Sequence, residues 1–127
     1  KYGSEFKIGV GTIVSVEDIL QCIKMEVDFM VSPGYSPLMV KQFEISGIPF
    51  LPGASTPGEI TQGIEHGWRF FKFFPADLFG GINALKTYGN VFKNVKFCPT
   101  GGINKENHHS FLALKNVLSV GGSWLLK

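Results

Sequence analysis

The feature that most constrains the fold of this chain is a regular recurrence of glycine and proline directly after short apolar runs. These breaks recur at intervals of 19 to 24 residues. A strand, a short loop and a helix fill about that length, so each interval predicts one βα unit. The six breaks are Gly11-Thr12, Pro33-Gly34, Pro52-Gly53, Pro75, Pro99-Thr100-Gly101 and Gly121-Gly122.

The segments on either side of each break predict the individual elements. Strands are expected over residues 7–10, 28–31, 49–51, 68–74, 95–98 and 117–120. Helix caps and first-position prolines predict helices that follow Ser15, Ser36 and Thr56 and end near Met25, Gly47 and Gly67. A short helix is expected around residues 82–88, and Asn104 is expected to cap a helix over residues 105–114. Residues 1–6 fit a loop before the first strand.

Consecutive βα units predict an α/β protein, built either as a doubly wound sheet or as a (β/α)8 TIM barrel. A doubly wound sheet usually carries a glycine fingerprint after its first strand. Here every predicted strand end carries unusual residues, which favours a barrel whose site is formed by all the loops at one rim. A complete barrel has eight strands and typically about 250 residues, whereas this chain has 127 residues. We therefore expect residues 1–127 to be an internal fragment and a partial barrel domain, with about six of eight units present.

Lys72 is the residue that most strongly indicates chemistry, because it interrupts the aromatic run Phe70-Phe71-Lys72-Phe73-Phe74. Side chains alternate along a strand, so Lys72 shares one face with Phe70 and Phe74. Aromatic residues on both faces predict that both faces are buried. Burial favours the neutral amine, which is the nucleophile that forms Schiff bases with carbonyl substrates. The alternative is a lysine that reaches solvent at the strand end or pairs with a buried carboxylate.

Two glycine pairs give a second indication. Thr100-Gly101-Gly102 and Gly121-Gly122-Ser123 follow the last two predicted strands. In barrels, these loops often present backbone N–H groups to a phosphate. The alternative is that each pair only makes a tight turn.

Charge and hydropathy argue against several classes of partner. The net charge is +2, and the 12 basic residues are scattered, with Arg69 the only arginine, so no nucleic-acid partner is expected. No apolar stretch approaches the roughly 20 residues of a membrane span, and no signal peptide is recognisable, so a cytoplasmic protein without a membrane partner is expected.

The potential metal ligands are few and poorly spaced. Cys22 and Cys98 match no metal or disulfide spacing, so reduced thiols are expected. The three histidines have no ligand spacing to a carboxylate, so no metal and no cofactor are expected. These are His66, His108 and His109.

The motifs together resemble the bacterial 2-keto-3-deoxy-6-phosphogluconate (KDPG) aldolases, also known as 4-hydroxy-2-oxoglutarate (KHG) aldolases. The resemblance extends over essentially the whole chain, through Ile8-Gly9-Val10-Gly11-Thr12, Ser32-Pro33-Gly34, Leu51-Pro52-Gly53, Phe71-Lys72-Phe73-Phe74-Pro75-Ala76, Cys98-Pro99-Thr100-Gly101-Gly102 and Gly121-Gly122-Ser123-Trp124. It implies a (β/α)8 barrel assembled as a homotrimer. It also implies a class I lyase without a cofactor that acts on small 2-keto acids. Such an enzyme cleaves KDPG to pyruvate and glyceraldehyde 3-phosphate, and KHG to pyruvate and glyoxylate.

The same resemblance assigns roles to individual residues. Lys72 would be the catalytic Schiff-base lysine, and Thr12 would help to hold the pyruvate carboxylate. Pro33, Phe74 and Thr100 would complete the substrate site. The substrate phosphate would be bound by Gly101, Gly102, Gly121, Gly122 and Ser123.

One departure from the family pattern bears on activity. The family's general-base glutamate and its pyruvate-binding arginine lie on strands upstream of the motifs in this chain. By the same resemblance, the first two βα units and the last helix of the family's barrel would be missing. Asp77 is the nearest carboxylate to the lysine strand, but its position is more typical of a turn cap. The intact protein is therefore expected to be active, and this segment alone is expected to aggregate or stay molten and to show no lyase activity. Two alternatives remain open: another lysine-dependent barrel enzyme, such as a different aldolase or a transaldolase, and a non-catalytic, truncated barrel that binds phosphate.

Overall fold

The computed structural model describes residues 7–126, and the chain divides into two compact units, Lys1–Gly53 and Ala54–Lys127. The loop predicted over residues 1–6 lies outside the described residues. The first unit contains three strands that pair in parallel in the order β1-β2-β3. Its elements in chain order are β1 (Gly9–Val10), α1 (Val16–Met25), β2 (Phe29–Val31), α2 (Pro37–Ser46) and β3 (Phe50–Leu51).

The helices of the first unit begin at the predicted capping residues. The Ser15 hydroxyl accepts a hydrogen bond of 3.1 Å from the Asp18 N–H, and Ser36 caps α2 in the same way. Each side chain satisfies one of the backbone donors that the first turn of a helix leaves unpaired. Gly47 ends α2 with a φ of 70°, a conformation that glycine adopts without steric cost. Both predicted helices are confirmed.

A small apolar core holds the first unit together. Met30 of β2 is fully buried, and Phe43 of α2 stacks on Phe50 of β3 with ring centroids 4.7 Å apart. The buried residues of this core are Ile13, Ile19, Cys22, Val27, Met30, Met39 and Phe43.

The second unit contains two further parallel strands, β4 and β5. Its elements are α3 (Pro57–Glu65), β4 (Phe70–Phe73), α4 (Gly81–Val91), β5 (Lys96–Pro99), α5 (His108–Leu112) and a 3₁₀ helix over Ser123–Leu126. Thr56 and Glu59 form a reciprocal capping box at the start of α3, so the helix predicted there is confirmed. Among the described residues, no helix has the length and apolar character needed to cross a membrane.

The core of the second unit lies on one face of β4 and β5. Phe71 and Phe73 are fully buried, and they pack with Phe97 of β5, Ile60 of α3 and Leu85 of α4. Phe70, on the opposite face, is 54% exposed. The expectation that both faces of this strand are buried is therefore wrong at Phe70.

The sixth predicted strand, over residues 117–120, is reduced to two isolated parallel bridges, Phe97 to Val117 and Thr100 to Gly121. At Phe97 the hydrogen bonds follow the regular parallel pattern: its carbonyl accepts from the Leu118 N–H, and its N–H donates to the Asn116 carbonyl. The next donor in a regular ladder would be residue 99, which is Pro99 and has no N–H. Instead the Pro99 carbonyl accepts from the Gly121 N–H, so the pairing slips by one residue and no continuous strand forms.

Two helix boundaries in the second unit also differ from expectation. The helix predicted from residue 105 begins only at His108. Asn104 Oδ1 accepts from the N–H groups of Glu106 and Asn107, and Asn107 Oδ1 accepts from the Asn104 N–H. These hydrogen bonds join residues close in sequence and stabilise a turn in place of the first turn of the helix. Asparagine side chains commonly compete with helix formation in this way. The other difference is that α4 extends beyond the predicted residues 82–88 at both ends.

Candidate active site

Lys72 lies in β4 on the face opposite the core of the second unit. In the parallel ladder it is opposite Cys98 of β5. Its side chain is half-buried, and its Nζ lies 4.5 Å from the centroid of the Phe74 ring. The strand therefore holds the amine against an aromatic ring at the carboxyl end of β4.

Burial lowers the pKa of Lys72 below its ordinary value, because desolvation disfavours the ammonium form. The charge that Cys98 acquires as a thiolate acts in the opposite direction and is the smaller effect. Contact with the Phe74 ring also favours the charged form. Desolvation dominates, which enlarges the neutral fraction that can attack a carbonyl carbon.

Cys98 is a neighbour of Lys72 that sequence reasoning missed. It was expected only to be a reduced thiol, but it is half-buried and faces the same side of the sheet as Lys72. Its Sγ accepts a hydrogen bond of 3.2 Å from the Ser119 hydroxyl. The strand register contains this information, because residues opposite each other in a parallel pair point to the same face.

The two glycine loops lie next to each other in the second unit. Thr100 and Gly121 form a bridge, and a Cβ on Gly121 would lie 3.0 Å from Thr100 Oγ1. The Thr100 N–H donates to the Phe73 carbonyl over 2.9 Å, which connects the first loop to the lysine strand. The structure therefore places Thr100, the glycine pairs and the strand that carries Lys72 at the same end of β4 and β5.

Gly101 and Gly102 both have positive φ angles, of 104° and 75°. Side chains rarely adopt this conformation, and a Cβ on Gly102 would also collide with the Asp77 side chain. Within residues 7–126, the N–H groups of these two glycines donate to no protein acceptor. Successive unpaired N–H groups of this kind form a concave anion-binding surface.

Thr12 and Pro33 belong to the first unit. Thr12 follows β1, is exposed, and has a φ of 57°, which is uncommon for a residue branched at Cβ. Such strain tends to persist where a residue is held for function. Pro33 follows β2, and its carbonyl packs against Gly53, where a side chain would not fit. The roles expected for both residues remain predictions.

The general base expected for the reaction is not found among the described carboxylates at strand ends. The glutamates of residues 7–126 lie on helices or beside them, as expected; they are Glu17, Glu26, Glu44, Glu59, Glu65 and Glu106. Asp77 Oδ1 accepts from the neighbouring Leu78 N–H, which confirms its role in a turn. In the part of the chain that the structure describes, no group of three or more His, Cys, Asp or Glu residues is arranged to hold a metal ion.

Comparison with known proteins identifies the family. The family model for KDPG and KHG aldolases matches residues 1–127. The KHG/KDPG aldolase of Escherichia coli K12 is 40% identical over 119 residues, which cover 94% of this chain and 56% of that protein. The chain belongs to the KDPG and KHG aldolase family, and it spans a little over half the length of the curated relatives that it matches.

Two solved structures are similar in both fold and sequence. One is the KDPG aldolase from Legionella pneumophila, with pyruvate captured at low pH as a covalent carbinolamine intermediate. It is 40% identical, with a TM-score of 0.93, and the match covers 96% of this chain and 59% of that one. The other is the aldolase of Zymomonas mobilis ZM4 with 3-phosphoglycerate; it is 37% identical, with a TM-score of 0.89, and the match covers 92% of this chain and 56% of that one.

Proposed function

We propose that the intact protein is a class I aldolase that cleaves KDPG to pyruvate and glyceraldehyde 3-phosphate, and KHG to pyruvate and glyoxylate. The observation that carries the proposal is the half-buried Lys72, whose pKa is lowered by burial in a chain of this family. The Legionella relative, which holds pyruvate as a covalent carbinolamine, supports it.

The chemistry follows from a neutral amine. Lys72 Nζ adds to the C2 ketone of the substrate to give a carbinolamine, which loses water to give an iminium ion. The iminium accepts the electron pair of the C3–C4 bond as that bond breaks, and a base removes the proton of the C4 hydroxyl as the aldehyde leaves. The remaining enamine takes a proton at C3 and is hydrolysed to pyruvate and free Lys72. The base typically contributes about 10²- to 10⁴-fold.

The other parts of the proposal concern residues that no comparison has tested. Thr12 would bind the pyruvate carboxylate, Pro33 and Phe74 would line the substrate site, and Thr100 would contact the aldehyde portion. The phosphate of KDPG would be bound by Gly101, Gly102, Gly122 and Ser123, with Gly121, whose N–H donates to the Pro99 carbonyl, shaping the second loop of the phosphate site. The unpaired N–H groups of Gly101 and Gly102 support this, as does the 3-phosphoglycerate in the Zymomonas relative.

The architecture of the intact protein is also proposed. The chain would supply about six of the eight βα units of a TIM barrel, as one partial domain over residues 1–127. High TM-scores against family members of greater length support this. The general base and the carboxylate-binding arginine would lie in the part of the family fold that this chain does not span. We further propose a cytoplasmic homotrimer.

The pH dependence of Lys72 reactivity tests the proposal directly. Trapping of pyruvate on Lys72 by cyanoborohydride is expected to rise with pH as the ammonium loses its proton. Because burial lowers the pKa of Lys72, the midpoint should fall below the ordinary value of 10.5. Replacing Cys98 with alanine removes the opposing charge and should lower the midpoint further. A midpoint at or above 10.5, measured by mass spectrometry of the trapped peptide, would contradict the proposed environment of Lys72.

The phosphate site makes a separate prediction. The Ser123→Ala substitution should raise the KM for KDPG by about tenfold or more, because a hydrogen bond to a charged group contributes about 1.5–3 kcal/mol. The KM for KHG, which has no phosphate, should be unchanged. Ser110→Ala, on the exposed surface of α5, is the matched control in steady-state assays with both substrates. Equal losses for KDPG and KHG would show that Ser123 supports the fold rather than the phosphate.

A further inference from the structure

A cavity of about 540 Å³ opens in the second unit between α4, the start of β5 and the segment that follows α5. Four of its ten lining residues are lysines, and none carries a carboxylate. Three of these lysines are exposed and Lys96 is half-buried. The four are Lys86, Lys93, Lys96 and Lys115.

Hydrogen bonds fix the walls of this lysine cavity. Asn116 Nδ2 donates to the Leu85 carbonyl of α4 over 2.9 Å, and Lys96 Nζ donates to the Lys115 carbonyl over 3.0 Å. Gly89 lies where α4 passes Asn116, and a Cβ there would be 3.3 Å from Asn116 Nδ2. Glycine is costly inside a helix, by about 0.5–1 kcal/mol relative to alanine. Its presence here is explained by the close approach of the Asn116 side chain.

The lysine cavity is separate from the candidate active site. Lys96 is the first residue of β5, whereas Thr100 and the glycine pair follow the last. At about 3.3 Å per residue, four residues of strand place Lys96 about 13 Å from Thr100. The cavity is therefore at the amino end of β5, and the glycine loops are at its carboxyl end.

The lining defines the chemistry of a ligand. A concave surface lined by charges of one sign concentrates counter-ions, and lysine ammonium groups bind phosphate as point charges. Phe92 and Leu114, both half-buried, add apolar surface between the charged groups. The ammonium groups fit the phosphates of a ligand, and the apolar side chains fit its carbon skeleton. The volume lies within the range of about 300–1,000 Å³ that is typical of small-molecule sites.

We propose that the lysine cavity is a second ligand site that binds a small organic bisphosphate, independently of the aldolase site. A ligand with two anionic groups fits best, because the lysines approach the cavity from α4, from the loop between α4 and β5, from β5 and from the segment after α5. A single phosphate would leave some of these ammonium groups without an anionic partner. The proposal does not depend on the proposed aldolase activity.

Calorimetric titration of the intact protein with fructose 1,6-bisphosphate as a probe tests the proposal, with fructose as the uncharged control. The Lys93→Glu/Lys115→Glu double substitution should raise the dissociation constant by at least about tenfold, a change of about 1.4 kcal/mol. The Lys93→Gln/Lys115→Gln double substitution should weaken binding by less than charge reversal does. If charge reversal disturbs folding, this neutral variant still tests the proposal. Raised ionic strength should weaken binding by the wild-type protein.

Two matched variants identify the binding site. Lys41→Glu/Lys105→Glu changes the net charge by the same amount at exposed lysines outside the cavity, and binding should stay within about twofold of wild type. Ser123→Ala should likewise leave bisphosphate binding unchanged. The proposal is overturned if the wild-type protein does not bind the probe or if both cavity variants bind it as tightly as wild type. An equal loss in the Lys41/Lys105 variant, or a loss in Ser123→Ala, would also overturn it.

Discussion

Replacing Lys72 with methionine is expected to lower the proposed aldolase activity of the intact protein by about 10⁴-fold or more, since the proposed covalent nucleophile is lost. Methionine keeps most of the apolar stem of lysine, so it can still pack against Phe74 without burying an amine. The measurements are kcat/KM for KDPG and peptide mapping after reduction of the pyruvate complex with borohydride. No adduct should form on the variant, and the wild-type adduct should map to Lys72.

A matched lysine separates loss of chemistry from loss of structure. Lys96 faces the same side of the sheet from the neighbouring strand, and Lys96→Met should retain the activity and the adduct. Thermal unfolding of Lys72→Met should match that of wild type or occur at a higher temperature, because an amine that is costly to desolvate has been removed. An adduct that maps to Lys86 or Lys96, or its absence from the wild-type protein, would contradict the assignment of Lys72.

Local sequence chemistry predicted most of the helix starts in this chain. Ser15, Ser36 and Thr56 each cap the helix expected of them. A cap acts within three or four residues, so it can be recognised without knowledge of the tertiary structure. Asn104 is the informative failure: its side chain satisfies backbone donors just as a cap does, but in a turn that precedes the helix. Cap and turn residues share the same bonding capacity, and sequence alone does not separate them.

Strand pairing was harder to predict from the sequence, because it depends on partners that are distant along the chain. The parallel pairing of β4 with β5 agrees with the βα interpretation. The sixth strand failed because Pro99 has no N–H to donate toward residue 118, an effect that appears only once the two segments are placed side by side.

Within the candidate site, the chemical groups could be predicted but their surroundings could not. The aromatic run identified Lys72, and the glycine pairs identified loops that the structure brings together at Thr100 and Gly121. The proximity of Cys98 to Lys72 requires the register between two strands, and the strain at Thr12 requires backbone angles. Neither the strand register nor the backbone angles can be predicted from amino-acid composition or motif spacing.

Phe73 should be the more costly of two phenylalanines in the same strand to replace. It is fully buried and packs edge-on against Tyr88 and Phe97, with ring centroids 6.0 and 6.1 Å away. Phe73→Ala is expected to lower the free energy of unfolding by about 3–5 kcal/mol. Phe70→Ala is the comparison: Phe70 is 54% exposed within residues 7–126, so its loss should stay below that of Phe73→Ala, by an amount set by how far the intact barrel covers this face. Urea denaturation of the intact protein measures both.

The Phe70 comparison also tests the surroundings of Lys72. Phe70 and Lys72 share a face of β4, so anything in the intact protein that covers Phe70 also desolvates Lys72. A loss at Phe70 as large as that at Phe73 would contradict single-face burial and would support a fully enclosed strand, as the aromatic pattern predicted. The pH midpoint for trapping pyruvate on Lys72 should then fall further below 10.5. Phe70→Ala could instead lower the free energy of unfolding strongly while the midpoint for trapping pyruvate stays at the ordinary pKa of lysine. That result would show that burial of this face does not set the pKa of Lys72.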